Sequence, residues 1–218
     1  AAYWEFAQHN INLPSISVNV SAERLGHPGL IEELKQRTDL PASGLAFELL
    51  ETVFLDHVDE DYAKQIDALK AMGIGIEIDD FGTGHASIAG VLALRPDRLK
   101  IDRMFTSDID SKPAHRDLMR GLIEMATSAG AATVVEGVET EAEAKILSDL
   151  GADVLQGYAF ARPMDRHFLC FTGGAVFLQH VECTPAMYHV RFRVLPPVFK
   201  LMLGETVSPA QRRQDFRK

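Results

Sequence analysis

The chain has 218 residues, 46% of them hydrophobic and 24% charged, a composition typical of a globular protein with one sizeable core. Its net charge of -9 argues against a surface for a nucleic-acid polymer or an anionic membrane, and no apolar run is long enough to cross a bilayer. Two cysteines are too few for a disulfide framework, so we expect a reducing, cytoplasmic location.

Predicted strands and helices alternate through short loops over the first 156 residues. The hydrophobic patterns predict strands at residues 16–21, 44–50, 74–78, 97–102, 132–136 and 154–156. Helices are predicted between them, at 28–37, 59–72, 85–94, 111–129 and 140–150; in the fourth, we expect Leu118, Leu122 and Ile123 to face the core. Such alternation indicates a parallel sheet with helices outside it.

Every predicted strand ends in polar side chains. In a (β/α) barrel these ends converge on the face that holds the chemistry, whereas an open doubly wound sheet has one switch point. We therefore predict an α/β fold of the TIM-barrel type, with six strands present and the amino-terminal part incomplete. The residues at the strand ends are Asn19, Glu48, Asp79, Asp80, Lys100, Asp102, Glu136 and Gln156.

The last quarter of the chain has a different character. Residues 1–164 carry 14 Lys+Arg against 27 Asp+Glu, a net of -13, whereas residues 165–218 carry 8 against 4, a net of +4. We therefore predict a barrel domain at 1–164 and a basic tail at 165–218. Residues 188–194 alternate apolar and polar side chains like a half-exposed strand, which does not suit a barrel wall buried on both faces.

Two adjacent carboxylates, Asp79 and Asp80, follow the third predicted strand and precede a loop with two glycines. Adjacent side chains within a strand point to opposite faces, but where the backbone turns both can face one opening. A bound cation would relieve their repulsion, and oxygen ligands of this kind suit Mg²⁺ or Mn²⁺. The alternative is a helix cap, for which a single Asp is common.

Lys100 and Asp102 lie on one face of the next strand, two residues apart. Beside a two-ion site, Lys100 could hold or polarise a water molecule that attacks a phosphoryl group, with Asp102 fixing the lysine. The alternatives are an inward ion pair that only balances charge, or an enolase-like barrel in which Lys100 is a base.

Six short strings occur in order along residues 1–164 and, as a set, resemble the EAL-domain family, bacterial phosphodiesterases that linearise cyclic dimeric GMP (cyclic di-GMP). The resemblance implies a (β/α) barrel with two Mg²⁺ or Mn²⁺ ions at its strand ends and Ca²⁺ as an inhibitor. The strings are Asn19-Val-Ser, Glu48-Leu-Leu-Glu51, Asp79-Asp-Phe-Gly-Thr-Gly84, Lys100-Ile-Asp102, Glu136-Gly-Val-Glu-Thr140 and Gln156-Gly-Tyr158.

The resemblance also implies the metal ligands. Asn19, Glu48 and Asp79 would hold one ion. Asp79 and Asp80 would hold the second, with Glu136 nearby.

The remaining roles implied by the resemblance are catalytic or structural. Lys100 would orient the attacking water with Asp102 beside it, Glu136 would complete the catalytic set, and Gln156 would lie near the substrate. The family also dimerises through the loop at residues 80–84. By the same resemblance, Glu51, Gly82, Thr83 and Gly84 would stabilise this loop.

One departure bears on activity. The family's Glu-Ala-Leu, whose Glu is a metal ligand, and the phosphate-binding Arg after it do not occur in this chain. We therefore expect weak hydrolysis of cyclic di-GMP to linear pGpG, or none. The alternative is a degenerate module that binds the nucleotide or dimerises without turnover.

Overall fold

The structure is a computed structural model that describes residues 16–37, 44–50, 60–83, 88–160, 180–183, 188–191 and 193–194. Its strands are β1 (Ile16–Asn19), β2 (Leu45–Leu50), β3 (Gly75–Phe81), β4 (Arg98–Ile101), β5 (Ala132–Val135), β6 (Val154–Gln156), β7 (His180–Cys183), β8 (Tyr188–Arg191) and β9 (Arg193–Val194).

The helices follow the predicted positions, with a short additional helix after β1 and a 3₁₀ helix, Arg103–Phe105, after β4. None of the helices in the described ranges is long and apolar enough to cross a membrane. Their bounds are α1 (Ala22–Leu25), α2 (Leu30–Gln36), α3 (Glu60–Ala71), α4 (Ile88–Leu94), α5 (Pro113–Ser128) and α6 (Glu141–Leu150).

The start and end of α6 show how the sequence fixes an element. The Thr140 side chain accepts the backbone N–H of Glu143, and the Glu143 carboxylate accepts the backbone N–H of Thr140, which is the predicted capping box. Gly151 ends the helix with a φ of 96°, a left-handed conformation that costs glycine little.

Strands β1 to β6 lie side by side in chain order, each parallel to the next. Their carboxyl ends therefore share one edge of a curled half-barrel, as the sequence predicts for an incomplete TIM-type barrel. Adjacent strands stay in register near this edge: Asn19 lies opposite Glu48, and Leu50 opposite Asp79.

The two faces of the sheet differ because alternate residues of a strand point in opposite directions. One alternate set is apolar and packs with helix residues: Phe47, Ile76 and Ile78 share a core cluster with Ile66 and Leu69 of α3. A second cluster joins residues of the later strands to α5 and α6. The other alternate set faces the inside of the curl and contains the buried polar residues Ser17, Glu48, Glu77, Lys100 and Gln156.

One predicted core position is wrong. Leu118 is 51% exposed, whereas Met119, Ile123 and Ala126 form the buried stripe of α5. These three residues are spaced by four and three positions and lie on one side of the helix, and Leu118 falls beside that stripe rather than within it.

The tail contributes strands to the same sheet. β7 runs parallel to β1, β8 pairs antiparallel with β7, and β9 pairs antiparallel with β6. β8 and β9 therefore lie at opposite ends of the strand order, yet a single residue separates them in the chain. Two Cα atoms that far apart in sequence are at most about 7 Å apart, so the two edges of the sheet approach each other. Residues 188–191 and 193–194 pair antiparallel at the two ends of the strand order. An antiparallel edge strand need not be buried on both faces, so the expectation that these residues do not suit a wall buried on both faces stays a prediction.

Deleting residues 165–218 would remove β7, β8 and β9, and with them the partners that β1 and β6 have among the described strands at the two edges of the six-stranded sheet. Unpaired edges pair readily with other chains, so we expect the shortened protein to self-associate and to unfold at a lower temperature. Sedimentation velocity and thermal unfolding measure both effects. A chain ending at residue 195 keeps all three strands and is the control. A shortened protein that stays monomeric with unchanged unfolding would contradict this prediction.

Candidate functional site

A fully buried ammonium group lies at the carboxyl end of the parallel strands. Lys100 Nζ on β4 donates a hydrogen bond to Asp79 Oδ1 at 2.7 Å and forms ion pairs with Glu48 Oε1 and Glu136 Oε1, each at 2.9 Å. Lys100 and Glu48 have no exposed side-chain surface. Three neighbouring carboxylates thus converge on one cation from β2, β3 and the end of β5.

Backbone contacts hold the end of β5 against its neighbours. The Glu136 N–H donates to the Ile101 carbonyl at 3.1 Å, and the Glu136 carbonyl accepts the Thr106 hydroxyl at 2.7 Å. On β6, Gln156 Nε2 donates to Glu136 Oε1 at 3.3 Å, the same oxygen that pairs with Lys100. Gln156 is nearly fully buried, so its amide is part of this polar cluster.

Asp80 reaches the same opening because the strand is irregular there. β3 extends through Asp79 and Asp80 to Phe81, three residues beyond its predicted end, and its pairing with β4 shifts after Ile78. Asp80 has a φ of 55°, in the left-handed region. This bulge lets adjacent side chains approach one site, as bulges commonly do beside functional sites. Burial, followed by the charges of Asp79, Asp102 and Glu136, raises the pKa of Asp80, while Lys100 opposes the shift.

Two other predicted site residues lie at the same end. Asn19 is exposed at the end of β1, in register with Glu48. Asp102 follows β4 and caps the 3₁₀ helix, with its Oδ1 accepting the Met104 N–H at 2.8 Å. The partners of Lys100 described above are therefore Asp79, Glu48 and Glu136, while the predicted role of Asp102 in fixing the lysine stays a prediction.

The loop after Asp80 is only partly described. Gly82 has a φ of 98°, and a Cβ atom there would lie 2.6 Å from the Phe105 ring, so this position needs glycine. The Thr83 N–H lies 3.4 Å from the Asp80 carbonyl. Glu51 and Gly84, also predicted to stabilise the loop, lie outside the described residues.

Sequence reasoning missed a second polar layer on the same face. Glu77 is fully buried; it accepts a hydrogen bond from Ser17 Oγ at 3.1 Å and forms an ion pair with Arg98 at 2.5 Å. Each of the three lies two positions before a predicted site residue on the same strand: Glu77 before Asp79, Ser17 before Asn19 and Arg98 before Lys100. Because residues two apart on a strand share a face, this spacing was the sequence signal that could have placed them on the site's face.

The site has more negative than positive charge. A cavity of about 710 Å³ lies beside it. Four acidic residues, Asp102, Asp108, Glu139 and Glu143, and one basic residue, Arg103, are among the side chains that line this cavity. In the polar cluster itself, the one positive charge of Lys100 faces five carboxylates, those of Glu48, Asp79, Asp80, Asp102 and Glu136. Crowded carboxylates favour the binding of further cations.

The donor chemistry fits a hard divalent cation. Carboxylate oxygens are the ligands that Mg²⁺ and Mn²⁺ prefer, and they lie together at one end of the sheet. In the ranges that the structure describes, however, no group of three or more His, Cys, Asp or Glu side chains is arranged as a ready metal site. Glu48, Asp79 and Glu136 are instead arranged around the Lys100 ammonium.

Comparison with known proteins adds an independent observation. The family model for the EAL domain matches residues 1–163. A bifunctional diguanylate cyclase/cyclic di-GMP phosphodiesterase, MucR of Pseudomonas aeruginosa, is 35% identical over 153 residues, which cover 69% of this chain and 22% of that protein. The cyclic di-GMP phosphodiesterase RocR of the same organism is 31% identical over 165 residues, 74% of this chain and 42% of that protein.

Solved structures show the same relationship. The MucR phosphodiesterase in complex with cyclic di-GMP is 34% identical with a TM-score of 0.64, covering 71% of this chain and 70% of that one. The EAL domain of Mycobacterium smegmatis DcpA is 29% identical with a TM-score of 0.70, covering 78% and 77%. The chain spans about a fifth of the length of several curated relatives that it matches. Its structural neighbours include an EAL domain, and by its family match this chain belongs to the EAL-domain family.

Proposed function

We propose that this chain is an EAL-type cyclic di-GMP phosphodiesterase domain whose site binds two Mg²⁺ or Mn²⁺ ions, with weak or no turnover in a polypeptide of these 218 residues. The observation that supports it best is the convergence of Glu48, Asp79 and Glu136 on one point at the carboxyl ends of parallel strands. Relatives named as cyclic di-GMP phosphodiesterases point to the same substrate. The domain boundary at residue 164 and a cytoplasmic location are part of this proposal.

The proposed metal ligands are the strand-end oxygens. Asn19, Glu48 and Asp79 hold one ion, and Asp79 with Asp80 holds the second, next to Glu136. Bound divalent ions supply an activated water and neutralise charge at the phosphoryl group. The excess of carboxylates over ammonium groups at this site supports the assignment, because two divalent cations balance it. Ca²⁺ would compete for the same oxygens with looser geometry and inhibit.

The chain's other side chains position the reactants. Lys100 orients the attacking water beside Asp102, and Glu136 and Gln156 form the polar wall against which the substrate lies. The water oxygen forms a bond to phosphorus, the bond from phosphorus to one ribose oxygen breaks, and a proton passes to that leaving oxygen. One cyclic di-GMP and one water thus give linear pGpG.

A second candidate is a module that binds cyclic di-GMP or dimerises through residues 80–84 without turnover. The observation in its favour is the lack of any Glu-Ala-Leu string in these 218 residues. The bulge at Asp80 and the close packing of Gly82 on Phe105 give the start of that loop a defined conformation, as a dimer contact requires.

Metal binding is the first prediction from this proposal. Isothermal titration of the chelator-treated chain with MnCl₂ should give two bound ions. Asp79→Asn should weaken binding of both by at least about 100-fold, because the carboxylate proposed to hold both ions is lost, and Asp80→Asn should remove one. Asp110→Asn makes the same charge change at an exposed position and is the control. Two ions still bound by Asp79→Asn would contradict the ligand assignment.

Turnover is the second prediction. With MnCl₂ present, the 218-residue chain should form pGpG at no more than about 1% of the rate of an intact EAL phosphodiesterase, because loss of one preorganised site group typically costs at least 100-fold. Chromatographic separation of pGpG from cyclic di-GMP measures this rate, with Asp79→Asn as the background. Turnover equal to that of an intact relative would refute the expected loss.

The binding module makes a separate prediction. If it is correct, the chain binds cyclic di-GMP in calorimetry and sediments as a dimer, and Gly82→Ala weakens the dimer because the new Cβ would meet the Phe105 ring. Leu92→Ala on the exposed face of α4 is a surface control. The absence of both nucleotide binding and dimers would exclude this candidate.

A further inference from the structure

The ammonium group of Lys100 is buried and surrounded by three carboxylates. An ammonium group has three hydrogens to donate, and here three carboxylates lie at 2.7, 2.9 and 2.9 Å from Nζ. The lysine side chain has no exposed surface, so bulk solvent does not stabilise its charge. The ammonium is thus the internal counter-cation of this carboxylate group.

The same carboxylates are the proposed metal ligands. Mg²⁺ needs its oxygen ligands at about 2.0–2.1 Å, and a divalent ion bound to Glu48 Oε1 and Asp79 Oδ1 would overlap with the ammonium that now contacts these two atoms. Two cations at such short separation repel strongly in a buried environment. Lys100 and a divalent ion therefore cannot hold these oxygens in the same arrangement.

Resting on the proposed function, we propose that Lys100 competes with the divalent ion for the carboxylates of Glu48, Asp79 and Glu136, and that its ammonium must withdraw from Glu48 and Asp79 when metal binds. The lysine then has two states. Without metal, its ammonium neutralises the carboxylates of the site; with metal bound, it lies beside the site without contacting Glu48 and Asp79. Its charge lowers metal affinity while it keeps the empty carboxylates from repelling one another.

Arg98 provides a matched comparison for this idea. It lies two residues before Lys100 on β4, on the same face of the strand, and also carries one positive charge. Its ion pair is with Glu77, in the other polar layer, rather than with the three carboxylates. Loss of Arg98 therefore removes a nearby charge without removing the proposed competitor.

The test is the Mn²⁺ affinity of the chelator-treated chain and its Lys100→Met, Lys100→Arg and Arg98→Met variants, measured by calorimetry and by electron paramagnetic resonance of free Mn²⁺. Lys100→Met should bind Mn²⁺ at least about tenfold more tightly than the wild type, because uncompensated buried carboxylates gain most from a new cation. Lys100→Arg keeps the charge and should not show this gain. Arg98→Met leaves the buried Glu77 without its ion pair but leaves Lys100 on its three carboxylates, so its gain in Mn²⁺ affinity should be clearly smaller than that of Lys100→Met.

Thermal unfolding gives a second measurement that does not depend on activity. Lys100→Met should unfold at a lower temperature than the wild type in chelator and show the larger rise on addition of MnCl₂. If the variant is unfolded without metal, circular dichroism should show it refolding at Mn²⁺ concentrations below the wild-type dissociation constant; failure to refold at any Mn²⁺ concentration would overturn the inference.

The outcomes separate this inference from the proposed function. Mn²⁺ binding by the wild type, with equal or weaker binding by Lys100→Met, would overturn the competition and leave the metal site standing. No Mn²⁺ binding by any of the four proteins would overturn both.

Discussion

The arrangement of this domain depends on one electrostatic constraint: three carboxylates, a fully buried one from Glu48 and partly buried ones from Asp79 and Glu136, meet around the buried ammonium of Lys100. Removing one partner from a buried ion pair typically costs about 3–5 kcal/mol, because the charge left behind is neither paired nor hydrated. Removing a member of this ion-pair group should therefore lower the stability of the fold. The parallel sheet brings the group together because its strands end at the same edge. A divalent cation is the natural competitor for such oxygens.

Sheet geometry explains why so few residues suffice to build the site. One alternate set of strand residues packs against helices, and the other places Ser17, Glu77 and Lys100 on the inner face of the curl. The shift in pairing after Ile78 breaks the period once, where Asp80 must join Asp79 at the opening. An irregularity that costs regular pairing thus gives the site a second adjacent carboxylate.

Much of this was predictable because it follows from short-range periodicity. The six parallel strands, the capping box of Thr140 and the convergence of polar strand ends were all readable from residue spacing. The bulge at Asp80 was not, because it depends on which strands become neighbours. The inner-face position of Glu77 and Arg98 follows from the two-residue period of their strands, but their pairing with each other across two strands does not. The same holds for the tail, whose strands pair with edges far away in sequence. Leu118 was misplaced by one residue on a helix, where 100° of rotation decides burial.

The central claim is that these carboxylates form a divalent-metal site from which Lys100 withdraws. Crystals of the chain grown with MnCl₂, with data collected at the manganese absorption edge, would test it directly. The account predicts two anomalous peaks bounded by Glu48, Asp79, Asp80 and Glu136, with Lys100 Nζ no longer in contact with Glu48 and Asp79. Manganese bound elsewhere, or an unmoved Lys100 ammonium with no peak beside it, would contradict the account.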